Sequence, residues 1–247
     1  MRIDIVIPAF NEEGRIDRTL RAYRSAVADP RARFLVALDS CTDGTADIVR
    51  GHVQVDPRVE LLEFPKLGKG GVIMEAFRRC DGDLVGFVDA DCATPPAEFL
   101  RLVDLAGGAD GAIASRAHPA SVLPSRRPAA RRLTSWVFSR ITRWMFRLPF
   151  SDTQCGAKVV RRGVIDGVLP LLSSRDFLFD VDLLLTADRL GFHIVEVPTV
   201  WLDREGSHVR AGADARRMAV SSLRLWFHHR VLPVRAPPPD ETVRTAA

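Results

Sequence analysis

The chain of 247 residues lacks several things that would place it quickly. No stretch of about 18 apolar residues occurs, so no membrane-spanning helix is expected. The N-terminus runs straight into a strand-like segment, so no signal peptide is expected. The four cysteines, Cys41, Cys80, Cys92 and Cys155, are scattered without a Cys-x-x-Cys pair. That argues against a zinc ribbon or a disulfide framework and fits a reducing cytoplasm. No internal repeat is present. Lysine is scarce: Lys66, Lys69 and Lys158 are the only ones, and every other basic residue is arginine. Acidic residues are absent from Gly111 to Ser151, a window holding eight arginines. The bulk arginine excess also follows from a GC-rich genome, so the placement of arginines carries the information, not their number.

What is present reads as alternating strands and helices. Residues 3–9 (I-D-I-V-I-P-A) form an apolar run, as a buried parallel strand does. Asn11, Glu12 and Glu13 are expected to open a helix to about Ala28. Further strands are expected at 34–38, 59–64, 84–88 and 110–115. Thr42-Asp43-Gly44-Thr45 reads as a turn and helix N-cap, Gly68 to Gly71 starts another helix, and Pro95-Pro96 a third. This order predicts a mostly parallel α/β sheet with helices on both faces. Ligands of such sheets bind beyond the carboxyl ends of the strands. Asn11, Glu12, Asp39, Asp89, Asp91 and Arg116 all fall there. Each alone also suits helix capping; four strand ends together favour a site.

In the acid-free window, Leu133, Trp136, Val137, Ile141, Trp144, Met145 and Leu148 recur at helical spacing. Arg116, Arg126, Arg127, Arg131, Arg132, Arg140, Arg143 and Arg147 lie in the same window. A second amphipathic stretch runs from about Arg216 to Leu232, with Leu223, Trp226 and Phe227 beside Arg217, Arg224 and Arg230. Such helices suit an anionic membrane surface. The alternative is two helices packed on the sheet with solvated basic faces. Residues 236–247, rich in Pro, Thr and Ala, are expected to be a disordered tail.

The strongest local signal is F-V-D-A-D at 87–91. Two carboxylates spaced by one residue at a strand end can share Mg²⁺ or Mn²⁺ with a phosphate-bearing partner. With I-V-I-P-A-F-N-E-E (5–13), L-D-S-C-T-D-G-T (38–45), G-K-G-G (68–71), D-A-D-C-A-T (89–94), S-R-A-H (115–118), D-T-Q-C-G-A-K (152–158), F-D-V-D (179–182) and E-V-P before Trp201, the sequence resembles the GT-A-fold inverting glycosyltransferases of family 2. It is most similar to the dolichyl-phosphate β-glucosyltransferase and polyprenyl-phosphate mannosyltransferase type, over roughly residues 3–206.

The resemblance implies a site. Pro8, Ala9 and Glu12 match the segment lining the nucleotide, Asp39 the reader of the base, and Lys69 the basic residue of the glycine-rich turn. Asp89 and Asp91, flanking Ala90, match the pair holding the metal and diphosphate. Arg116 and Arg131 match arginines near the donor diphosphate or acceptor phosphate. Asp152, Thr153 and Gln154 match the motif flanking sugar and acceptor, and Asp180 and Asp182 an acidic pair facing the donor sugar. Two positions depart from the pattern. Leu38 replaces one carboxylate of the second-strand motif, which leaves the base open. Ala93 stands where mannosyltransferases often carry Gln, which tilts the reading toward a UDP-sugar. His208 is a further candidate phosphate contact.

The implied chain has a catalytic domain at 1–206, a membrane-surface helix at 207–235 and the tail. The implied reaction moves a hexose, most simply from UDP-glucose, to polyprenyl phosphate at the cytoplasmic membrane face. A phosphate acceptor arrives ionised and needs cations rather than a strong base. Transfer from GDP-mannose, or to a soluble or saccharide acceptor, stays open. A nucleotidyltransferase would need G-x-G-x-R after the first strand, where P-A-F-N-E-E stands. A non-catalytic nucleotide-sugar binder is disfavoured by the intact aspartate pair, and a nucleic-acid partner by the tryptophan-bearing faces.

Overall fold

The structure is a computed structural model. It describes residues 1–124, 129–202 and 211–231, and their side chains except those of 129–136, 211–217, 219 and 231. Arg126, Arg127, His208, the 206/207 boundary and the 236–247 tail fall outside the described residues. The side chains of Arg131, Arg132, Trp136, Arg216 and Arg217 do so as well.

Seven strands form one sheet among the described residues. They are β1 (Ile3–Ala9), β2 (Arg33–Asp39), β3 (Val59–Phe64), β4 (Leu84–Val88), β5 (Gly111–Ser115), β6 (Ala157–Arg161) and β7 (Ile194–Pro198). Their order is β3-β2-β1-β4-β6-β5-β7. All neighbours run parallel except β6, which is antiparallel to both β4 and β5. The mostly parallel sheet and all five expected strands are therefore present; β6 and β7 add to them.

β1 is buried at every position, as a strand covered on both faces must be. Ile5 and Ile7 point into one core with Tyr23, Phe34 and Phe99; Val6 points into the other with Phe77, Phe87 and Phe179. The β1–β4 ladder ends at Val6–Phe87, short of Pro8, which has no N–H to offer. No β1–β4 pair follows that point, and the segments leaving the carboxyl ends of the strands carry the candidate residues.

The first helix, α1 (Ile16–Ala26), starts later than the sequence predicts. Asn11 takes the left-handed conformation at φ 54°, and the Glu12 carbonyl accepts from the N–H groups of both Arg15 and Ile16. The Asn-Glu-Glu segment is thus a turn closing onto the helix, not its first turn. α1 buries Ile16, Thr19, Leu20 and Tyr23, one face at helical spacing. The remaining helices are α2 (Thr45–Val55), α3 (Lys69–Phe77), α4 (Pro96–Ala106), α5 (Ala129–Phe146), α6 (Arg162–Val168), α7 (Phe179–Arg189) and α8 (Ala211–Val231). α7 is buried from Phe179 to Ala187 and forms the spine of one core. No helix among the described residues is long and apolar enough to cross a membrane.

Candidate active site

The candidate cleft is made of the segments that follow β1, β2, β4 and β5, together with the loop that leads into β6, linked by hydrogen bonds such as Thr42 to Asn11, Leu67 to Asp39, Asp89 to Gly156 and Arg116 to Asp152. Asp89 and Asp91 follow β4 directly. The Asp89 N–H donates to the Gly156 carbonyl (3.1 Å), and Asp91 Oδ1 accepts from the Ala93 N–H (2.9 Å). α1 clamps this turn from behind. Thr19 donates its hydroxyl to the Ala90 carbonyl (2.6 Å), and the buried Tyr23 donates its own to the Thr94 carbonyl (2.9 Å). Burial and then the neighbouring Asp89 charge push the Asp91 carboxyl up from its ordinary value. Two anions so placed want a cation between or beside them.

That cation is in part supplied by the chain. Lys69, at the start of α3, sets its Nζ 2.9 Å from Asp89 Oδ1 and 3.7 Å from Asp180 Oδ2. Burial alone would lower its proton affinity, but Asp89 and Asp180 outweigh burial and raise it. Behind it, Lys158 on β6 is fully buried. Its Nζ donates to Asp180 Oδ1 (2.6 Å) and to the Cys155 carbonyl (2.7 Å). Lys158 reaches this place because β6 pairs it with Phe87 on β4 and Ile113 on β5, mid-sheet. The result is an alternating chain of charges, Lys158–Asp180–Lys69–Asp89, ending at the cleft.

A second pair stands after β5. The guanidinium of Arg116 grips Asp152 through Nε to Oδ2 (2.7 Å) and Nη2 to Oδ1 (2.9 Å), and its backbone N–H donates to Oδ2 as well (3.0 Å). The guanidinium also lies over the Trp201 ring, 4.9 Å from its centroid. Glu196 on β7 fixes this corner by accepting from the backbone of Ser151 and Asp152 and from the Ser151 hydroxyl. Burial works against the Asp152 charge, but Arg116 prevails and holds the carboxyl at about 2. A depressed carboxyl contributes stability that is fully present above the unfolded value of ~3.9 and is lost as pH falls through the folded value. The stability gap between the native chain and Asp152→Asn is expected to stay constant from pH 7 to pH 5. It should then shrink from pH 4 toward pH 2, as read from urea midpoints.

The other expected residues fall as follows. Asp39 ends β2, where its Oδ1 accepts from the N–H groups of Leu67 and Gly68 and its Oδ2 pairs with Lys66 (2.7 Å). Its remaining lone pairs can still take a base N–H. Lys66 also lies 3.3 Å above the half-exposed Phe10 ring. Glu12 holds Arg15 in a two-point bond (2.6 and 2.7 Å) beside Pro8 and Ala9 at the end of β1. Gln154 donates its side-chain amide to the Phe177 carbonyl (3.2 Å), next to the buried Thr153.

Asp180 and Asp182 make different contacts. Only Asp180 of the expected pair reaches the cleft lysines. Two residues further along α7, Asp182 accepts from the N–H groups of Ser173 and Ser174 and pairs with the buried His229 of α8 (2.7 Å). Burial opposes its charge, and His229 with the two N–H groups overrides burial and lowers its carboxyl. A helix step of two residues turns the side chain by about 200°, which is why the two cannot face one way.

Sequence reasoning also passed over Lys158, Glu196, Thr19, Tyr23 and Gly156. One signal for the first was available. All three lysines of this arginine-rich chain pair with aspartates around the cleft: Lys66 with Asp39, Lys69 with Asp89, Lys158 with Asp180. A compact ammonium fits such tight positions where a planar guanidinium does not.

No group of three or more His, Cys, Asp or Glu side chains poised for a metal occurs among the described residues. Asp89 and Asp91 are the two carboxylates that could hold a magnesium-like ion, which usually takes one or two carboxylates and completes its shell with substrate phosphates and water.

Comparison with known proteins accords with this geometry. The family model described as "Glycosyl transferase family 2" matches residues 4–169. The undecaprenyl-phosphate mannosyltransferase of Micrococcus luteus is 31% identical, over 92% of this chain and 94% of its own. The dolichyl-phosphate β-glucosyltransferase of Saccharomyces cerevisiae is 27% identical, over 88% and 72%. Glycosyltransferase AglD of Haloferax volcanii is 28% identical over 94% of this chain, which spans 38% of AglD's length. Among solved structures, glucosyl-3-phosphoglycerate synthase from Mycobacterium tuberculosis, in complex with Mn²⁺, UDP and phosphoglyceric acid, shares the fold. Its TM-score is 0.69 at 16% identity, over 96% of this chain and 80% of that one. The chain belongs to glycosyltransferase family 2 and is a glycosyltransferase built on the GT-A fold.

Proposed function

We propose that the chain transfers a hexose from a UDP-sugar, UDP-glucose foremost, to polyprenyl phosphate with inversion at the anomeric carbon. It would use Mg²⁺ or Mn²⁺ at the cytoplasmic membrane face. The observation that carries this reading is the Asp89–Asp91 pair set against Lys69. A nucleoside diphosphate leaving there meets fixed positive charge as its own negative charge grows.

Asp89 and Asp91 would hold a divalent ion, which when bound would supply Lewis-acid stabilisation of the departing diphosphate. The chain's own residues do the rest. Lys69, held by Asp89 and Asp180, sits ready for a diphosphate oxygen. Asp39 and the Phe10–Lys66 pair border the end of the cleft suited to the base. Arg116, oriented by Asp152 and Trp201, is placed to position an acceptor phosphate, with Arg131 a further candidate for that phosphate. The acceptor oxygen is already anionic at neutral pH, so no general base is required. Relatives named for undecaprenyl and dolichyl phosphates support that acceptor class.

The described parts of α5 and α8 support a membrane-facing role. Val137, Ile141 and Trp144 are exposed along one stripe of α5, and Val220, Leu223 and Phe227 along one stripe of α8. Exposed Arg140, Arg143, Arg147, Arg224 and Arg230 flank the stripes. Guanidiniums beside an apolar stripe can reach anionic headgroups while the stripe enters the interface.

The mannosyltransferase likeness favours one second reading, GDP-mannose as donor. A melting-point panel of UDP-, GDP- and TDP-sugars with Mn²⁺ separates the two, because a ligand bound only by the folded state raises the midpoint. Asp91→Ala is expected to abolish lipid-linked sugar formation from short polyprenyl phosphate. Retained transfer would refute the metal assignment, and failure of the native chain with every common donor would refute the acceptor.

A further inference from the structure

A groove of about 610 Å³ lies between the C-terminal halves of α5 and α8. Trp144, Leu223 and Trp226 give it apolar walls, and Arg147, Arg189 and Arg230 give it three positive charges. No carboxylate lines it among the described residues. Three guanidiniums facing one apolar groove with no counter-charge among the described residues make a local positive field that an anion would complement.

The guanidiniums are not loose. Arg230 is stacked 3.8 Å from the centre of the Trp226 ring, and Arg189 donates through one nitrogen to the His229 carbonyl. The rest of each planar fork stays available, in the geometry that suits phosphate oxygens. Trp226 is in turn braced edge-on by Phe227, at 5.1 Å between centroids.

This groove is remote from the catalytic cleft. Arg189 ends α7, whereas Asp180 stands at its start, so nine residues and about 14 Å of helix separate them. The groove instead adjoins the exposed stripes of α5 and α8, with Trp144 and Leu223 belonging to both.

We propose that the groove is a headgroup site for an anionic phospholipid of the membrane on which the protein rests. Arg147, Arg189 and Arg230 would bind the phosphate, and the tryptophan and leucine walls would hold the glycerol and first acyl carbons. The proposal rests on the membrane-surface reading above and adds a discrete lipid site to it. Charge decides the occupant: a zwitterionic lipid or a neutral chain leaves three arginines unmatched.

The test uses the full chain and two readouts that do not involve sugar transfer. In flotation, the native protein is expected to bind vesicles containing phosphatidylglycerol at least about tenfold better than pure phosphatidylcholine vesicles. Arg147→Gln/Arg230→Gln changes only exposed residues and should cut that preference several-fold, the remainder coming from Arg140, Arg143 and Arg224, whereas Arg140→Gln/Arg224→Gln should cut it less; Arg189→Gln should act like the first pair. Trp144→Ser/Phe227→Ser should instead weaken binding to both vesicle types. In the second readout, soluble dihexanoyl phosphatidylglycerol should raise the native melting point and leave that of the double arginine variant unchanged.

A preference that falls no further in the groove variants than in Arg140→Gln/Arg224→Gln overturns the lipid site while leaving the membrane reading intact. Flotation with neither vesicle overturns both. An equal melting shift from inorganic phosphate identifies a free-phosphate site and overturns the phospholipid assignment. No shift at all means the groove has another occupant, such as the chain's own residues 232–247, and also overturns it.

Discussion

Gly156→Ala is expected to lower kcat/KM by about 10²–10³-fold while the protein still folds. A Cβ on residue 156 would lie 1.8 Å from Asp89 Oδ2 and 2.3 Å from its Cγ, so both cannot be there. Nor can the backbone slide aside cheaply, because the Asp89 N–H is bonded to the Gly156 carbonyl and β6 is bonded on both edges. The carboxylate must swing out, leaving Lys69 and abandoning its place beside Asp91. The substitution removes no functional group, so any loss reports position rather than chemistry. Steady-state kinetics beside circular dichroism and a melting curve check it. Near-native turnover in a folded variant would mean that the Asp89 carboxylate has no fixed place in the reaction.

The second large effect is on stability. Lys158→Met is expected to cost about 3–5 kcal/mol, because it leaves the buried Asp180 charge without its closest partner. Lys69, 3.7 Å away, replaces only part of that interaction. Adding Asp180→Leu should recover much of the loss, since removing both members of a buried pair is far milder than removing one. Urea unfolding of the single and double variants measures this. A single variant within about 1 kcal/mol of the native chain would show that the pair is not buried as described. The double variant is expected to remain poorly active, because Asp180 also orients Lys69.

Much of this was legible in the sequence because it is local. The runs I-D-I-V-I-P-A and L-V-G-F-V are continuous apolar segments ending at polar residues, and β1 and β4 lie where those runs do. β6 was not legible. Its five residues, A-K-V-V-R, carry a lysine at their centre, and nothing local says that Asp180 will meet it. β7, with Glu196 amid I-V-E-V-P, hides in the same way.

The site shows the same division. Asp39, Asp89, Asp91 and Arg116 announce themselves at strand ends, where polar residues have no local reason to gather, whereas Lys69, at the start of α3, came only through the resemblance. Thr19 and Tyr23 do not, since each bonds a carbonyl 71 residues away. Asp180 and Asp182 part for a geometric reason: spacing by one residue puts side chains together on a strand and apart on a helix. F-D-V-D is helical.

The reversed strand β6 has a consequence for how the chain becomes a protein. β1 to β4 can pair among themselves as soon as residue 88 has left the ribosome. β5 cannot join them, since its only neighbours are β6 and β7, both still to be made. Between those moments β4 presents an open edge, and Asp89 has neither Gly156 behind it nor Asp180 to steady its lysine. Sheet closure therefore waits on sequence-distant pairing, the slow kind. The pairing of β6 that closes the sheet is thus also the event that brings Gly156 to Asp89 and completes the cleft.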